Sequence, residues 1–149
     1  MKASNAVAGA VLAAVLGLVG CATPPQGLQL DTTLAAKGQD SRAQFLVLHY
    51  TELPLRESLD ILCDDTREHR VSSHYVLAED GTVYRLVAED RTAWHAGRSW
   101  WRGREALNAT SIGIEIVNLH GDRHDYPPGQ IAALIELCEG IVARHPAIE

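Results

Sequence analysis

The segment Phe45-Leu46-Val47-Leu48 constrains this chain more than any other. Four consecutive apolar residues, ended abruptly by His49-Tyr50-Thr51, read as a strand buried on both faces. Such a strand belongs to a sheet covered by helices, and the segments after it agree. From Pro54 to Asp65, Leu55, Leu59 and Leu62 recur at helical spacing. Ser73 to Leu77 and Thr82 to Val87 then flank Asp80-Gly81, a strong hairpin-turn pair. Ser111 to Asn118 alternates, with Ile112, Ile114 and Ile116 on one side and Gly113, Glu115 and Val117 on the other. Pro127-Pro128 precede a helix over 129–144 whose apolar stripe is Ile131, Leu134, Ile135, Leu137, Cys138 and Ile141. The order strand, helix, hairpin, strand, helix predicts an α/β (α+β) domain, a mixed central β-sheet flanked by helices.

A length of 149 residues leaves room for one modest domain. A net charge of −6 argues against a nucleic-acid partner, and 46% apolar with 21% charged residues excludes a disordered chain. The domain does not start at Met1. Lys2 is followed by an uncharged stretch from Ala6 to Val19, shorter than the roughly 20 residues a membrane span needs but suited to a secretion signal. That stretch ends in Leu18-Val19-Gly20-Cys21, which resembles a bacterial lipobox, the cysteine being the residue that receives lipid. Ala22 is not the aspartate that retains lipoproteins in the inner membrane, so the expected location is the outer membrane, facing the periplasm. The expected organisation is therefore a lipoprotein signal peptide over 1–20, a lipidated tether over 21–40 that opens on Pro24 and Pro25, and a domain over 41–149 held at the membrane through Cys21. Cys63 and Cys138 lie on the apolar sides of their helices and are expected as buried thiols, not a bridge.

Two polar residues stand on strands. His49 closes the most apolar strand, where a lone histidine is either structural or a metal ligand. Glu115 interrupts Ile114 and Ile116 on the face it shares with Gly113, so it meets either solvent or a cleft holding a cation or a catalytic water. Between them, residues 94–104 carry Trp94, Trp100, Trp101, Arg98, Arg102 and Arg104 with little periodicity. Aromatic faces suit sugar rings, and guanidinium groups bind carboxylates, so this reads as a binding loop.

Four segments together, 45–51, Arg70-Val71-Ser72-Ser73-His74-Tyr75, Ala93-Trp94-His95-Ala96-Gly97 and Thr110-Ser111-Ile112-Gly113-Ile114-Glu115, resemble the type-2 N-acetylmuramoyl-L-alanine amidases, which share a fold with the peptidoglycan recognition proteins. The resemblance runs from about Leu28 to the end of the chain. It implies zinc-dependent hydrolysis of the amide between N-acetylmuramic acid and L-alanine, in peptidoglycan or anhydro-muropeptides. It makes His49 the first Zn2+ ligand and Glu115 the catalytic acid–base, and it lines the substrate groove with Tyr50, Arg70, Trp94 and His95. His74 matches a recurrent structural position and is not carried as a ligand.

One departure matters. The family's second zinc histidine and acidic or cysteine third ligand follow the last helix, and this sequence ends at Glu149 short of them. The sequence is therefore expected to be partial, and His120, His124 and His145 are not expected to replace those ligands. The alternatives are a non-catalytic murein-binding lipoprotein and a poorly folded truncation product.

Overall fold

The computed structural model describes residues 33–34, 36–37, 41–119 and 125–149. The signal segment, Cys21, most of the tether, His120 and His124 lie outside the described residues. The chain divides into two units, Met1–Ala36 and Lys37–Glu149, and the fold below is that of the second. Its elements are β1 (Phe45–Tyr50), α1 (Leu55–Leu62), β2 (Tyr75–Leu77), β3 (Val83–Arg85), β4 (Trp100–Trp101), β5 (Arg104–Glu105), a 3-10 turn (Leu107–Ala109), β6 (Ser111–Ile116) and α2 (Pro128–Arg144).

Among the described residues the main sheet runs β1-β6-β2-β3; β6 is parallel to both β1 and β2, and β3 is antiparallel to β2. The mixed sheet and flanking helices are those expected from the element order. The last strand in sequence thus fills the centre, which is why β6 is buried along nearly its whole length. The Asp80-Gly81 turn joins β2 to β3: Asp80 accepts from the Thr82 N–H at 2.8 Å, and Gly81 takes a left-handed φ of 88°.

Period-two alternation divides β6 between two faces. Ile112, Ile114 and Ile116 point to one side and pack with Tyr75, Leu77 and the α2 residues Leu134, Leu137, Cys138 and Ile141. Full burial of each such side chain contributes roughly 1.5–3 kcal/mol, so this layer carries most of the fold. Pro128 opens α2 at a position whose N–H needs no partner. Gln130, fully buried, donates from Nε2 to the carbonyls of Val117 at 2.9 Å and Leu77 at 3.3 Å, tying the start of the helix to the ends of β6 and β2. At the other end of α2, Glu89 accepts from Arg144 at 2.7 and 3.1 Å, from the Tyr75 hydroxyl at 2.6 Å and from His145 at 2.8 Å. These donors, Arg144 foremost, pull the Glu89 carboxyl down to about 2.

Three expectations need correction. β1 is not buried on both faces: it is the edge of the described sheet, with Leu48 49% and Tyr50 52% exposed. An apolar run does not separate a central strand from a half-covered edge strand. α1 ends at Leu62, not Asp65, because Asp64 accepts from the Thr66 N–H at 2.9 Å and its hydroxyl at 2.6 Å, a turn that competes with the helix. Both thiols are free, but Cys63, just beyond the end of α1, is exposed, and Cys138 is half-buried.

Candidate active site

The second face of β6 presents Ser111, Gly113 and Glu115, and β1 lies beside it in register so that His49 pairs with Glu115 and Val47 with Gly113. Parallel strands place paired residues on one face about 4.8 Å apart. The two strand-borne polar residues are therefore neighbours. Glu115 lines a cavity of about 130 Å³ with Thr51, Leu53 and the α1 residues Ser58, Ile61 and Leu62. Its carboxylate makes no hydrogen bond or ion pair among the described residues, and burial alone raises it to about 7. A half-buried carboxyl without a partner is costly to the fold, and such groups concentrate where chemistry is done.

His95 comes from the loop after β3 and covers Gly113. A Cβ at position 113 would overlap the His95 ring, so only glycine fits there. The loop is fixed by Asn108, whose Oδ1 accepts from the N–H groups of His95 at 3.1 Å and Ala96 at 2.8 Å. His95 Nδ1 lies 3.0 Å from His49 Nε2, and its Nε2 lies 3.1 Å from the Ser111 hydroxyl. Burial lowers the pKa of both histidines, and burial first, then the charges of His49, His74 and Arg42, takes His95 down to about 4. Both rings are thus neutral at neutral pH.

His74 is fully buried with both ring nitrogens engaged: Nδ1 accepts the Gly113 N–H at 3.0 Å and Nε2 donates to the Arg91 carbonyl at 3.1 Å. With Ser73, which donates to the Gly113 carbonyl at 2.8 Å, it clamps the Gly113 peptide, and its ring packs edge-on behind His95 at 5.8 Å between centroids.

The groove residues fall in two places. Arg70 lies over the Trp94 ring at 5.8 Å from its centroid, and Trp94 is 47% exposed, so these two form one cation–π surface beside His95. Tyr50, one residue beyond His49, alternates to the other side of β1 and lines a cavity of about 290 Å³ that His49 also borders, with Ile116, Tyr126, Ile131 and Leu134. It does not join Glu115. The tryptophan-rich segment, read as irregular, contains the two-stranded β4–β5 ribbon, whose Arg102-Gly103 turn takes positive φ at both residues. Cavities of about 510 and 500 Å³ border this ribbon and not the pair His49 and Glu115.

Sequence reasoning missed Arg42. Its guanidinium donates to the Glu89 carbonyl at 2.6 Å and to the Ser111 carbonyl at 3.1 Å, holding the start of β6 against the loop that carries His95. No periodic or motif signal marks it.

Residues 39–149 match the family model described as N-acetylmuramoyl-L-alanine amidase. The chain belongs to that family. It is 38% identical to N-acetylmuramoyl-L-alanine amidase AmiD of Escherichia coli, over 91% of this chain and 54% of the relative. It is 39% identical to 1,6-anhydro-N-acetylmuramyl-L-alanine amidase AmpD of Citrobacter freundii, over 53% of this chain and 41% of the relative. Among solved structures, AmpDh3 of Pseudomonas aeruginosa in complex with anhydromuramic pentapeptide matches with a TM-score of 0.71 and 36% identity, covering 81% of this chain and 54% of that one. Escherichia coli AmiD, in complex with anhydro-N-acetylmuramic acid-L-Ala-D-gamma-Glu-L-Lys, matches with a TM-score of 0.72 and 39% identity, covering 83% and 51%. The chain spans about half the length of these relatives. Its fold is the amidase fold.

A catalytic zinc site generally takes three protein ligands. Among the described residues no group of three or more His, Cys, Asp or Glu side chains is arranged to hold a metal ion. His49 suits a ligand: it is neutral, half-buried, and its Nδ1 makes no hydrogen bond among the described residues. The described residues thus offer one fitting donor and not the full set.

Proposed function

We propose that this chain is an N-acetylmuramoyl-L-alanine amidase domain that hydrolyses the amide joining N-acetylmuramic acid to L-alanine in peptidoglycan or anhydro-muropeptides. The observation that carries the reading is the register of β1 on β6, which sets His49 on one sheet face beside a desolvated Glu115 that has no partner among the described residues. Family membership and the muropeptide complexes of the two structural relatives support it.

In this reading Glu115 takes a proton from the attacking water and returns it to the departing L-alanine nitrogen. An affinity for protons poised at about 7 suits a group that must accept and then donate near neutral pH. Of the described residues, His49 would be the one to hold zinc. A zinc ion held there would lower the pKa of its water to roughly 7 and polarise the lactyl carbonyl. Trp94 and Arg70 supply a flat aromatic surface and a guanidinium fork for the sugar and stem-peptide carboxylates. Cys21 carries the lipid that holds the domain at the outer membrane, facing the periplasm.

Incubation with an anhydro-muropeptide tests the reaction by its products. Free anhydro-N-acetylmuramic acid and a peptide with an L-alanine amino terminus are expected. Cleavage at any other bond contradicts it. A second reading, a murein-binding lipoprotein without turnover, is favoured by the missing donor set among the described residues. It predicts muropeptide binding with no product even when zinc is supplied.

A further inference from the structure

Ser111, His95 and His49 form a directional hydrogen-bond chain on the site face. The Ser111 hydroxyl donates to the Leu107 carbonyl at 2.6 Å, so toward His95, at 3.1 Å, it acts as acceptor. His95 must then carry its proton on Nε2, which leaves Nδ1 as a bare lone pair. That lone pair faces His49 Nε2 at 3.0 Å, so His49 in turn carries its proton on Nε2. The only tautomer of His49 consistent with the chain therefore leaves Nδ1 free to ligate, and Nδ1 makes no hydrogen bond among the described residues.

The surroundings offer no easy reversal. Ser111 is fully buried, which keeps solvent from supplying its hydroxyl with another acceptor. The Gly113 backbone fits directly under the His95 ring, and Asn108 pins the backbone that carries it. The ring cannot slide away without breaking those contacts.

We propose that His95 is a positioning residue: with Ser111 as its orienting partner, it fixes the Nε2–H tautomer and ring orientation of His49 and so leaves His49 Nδ1 as an open lone pair. This deepens the reading of His49 as a metal ligand, yet the tautomer exists without metal or turnover. Ligating imidazoles commonly donate their other N–H to a fixed acceptor, and loss of that acceptor typically weakens metal affinity 10–100-fold. Here the acceptor is a second imidazole.

Long-range proton–nitrogen NMR correlation on the whole, metal-free protein at pH 7.5 reads the tautomers directly. Unprotonated Nδ1 and protonated Nε2 are expected at both His49 and His95. A protonated Nδ1 at His49 overturns the proposal without need of any variant. Ser111→Ala removes the acceptor and should give mixed His49 tautomers, whereas Ser111→Thr keeps a hydroxyl and should restore the single one. His95→Asn, whose side-chain oxygen can stand near the lost Nδ1, should retain the His49 tautomer better than His95→Ala. Unchanged His49 tautomers in both alanine variants would reduce His95 to a packing residue.

Discussion

At the scale of single residues, the site stores an unfavourable charge. The Glu115 carboxyl moves from 4.5 to about 7 because burial penalises its ionised form. Below about pH 4.5 it is neutral whether the chain is folded or not. Between pH 4.5 and 7 the unfolded chain ionises and the folded one resists, so folding stability falls as pH rises through that window. The loss amounts to at most about 3 kcal/mol, less whatever solvent reaches the group. Glu115→Gln removes it: in metal-free protein the variant should melt above the wild type at pH 8 and close to it at pH 4.5. Equal melting temperatures at both would mean that Glu115 is solvated. His95 has the opposite sign. Its depressed pKa favours folding above pH 6.5, and that contribution is lost as pH falls toward 4. Gly113→Ala would force a methyl group into the His95 ring, costing about 1–3 kcal/mol and separating His95 from His49. Loss of the hydrogen bond between them, read from the His49 ring nitrogen shifts, would check it.

Among the elements, those with a clear period were legible and those joined by side chains were not. The isoleucine alternation of β6 and its acid-bearing reverse face follow from period two alone. That His49 and Glu115 share a face needed one more fact, the parallel register of β1 on β6, which no local pattern contains. β4 and β5 are two residues each, too short to show any period. Arg42 reaches carbonyls 47 and 69 positions away, and Glu89 gathers donors from β2 and the end of α2. Such staples leave no mark in sequence because their partners are set by the fold. Glu89→Ala should cost about 1–2 kcal/mol, since it leaves the Tyr75 hydroxyl and His145 without their acceptor while the half-exposed Arg144 turns to water, and amide exchange should quicken in the last turns of α2. Unchanged exchange there would show that the ion pair is idle.

For the molecule as a whole, the two faces of one sheet divide the labour. Apolar packing against α2 holds the fold, and the opposite face gathers neutral imidazoles, a reluctant carboxyl and an aromatic rim. The family resemblance was readable because its motifs lie on the strands and loop that build this second face. The location is a proposal resting on Cys21: lipid labelling in cells should mark the protein, and Cys21→Ala should abolish it along with its membrane recovery. A labelled Cys21→Ala protein would place the anchor elsewhere.

The central claim is that His49 and Glu115 act on one water. Turnover of an anhydro-muropeptide by Glu115→Gln, measured at matched zinc content with the wild type, tests it most directly. The account predicts a fall of at least about 100-fold in turnover with zinc binding retained; wild-type turnover at equal zinc would contradict it.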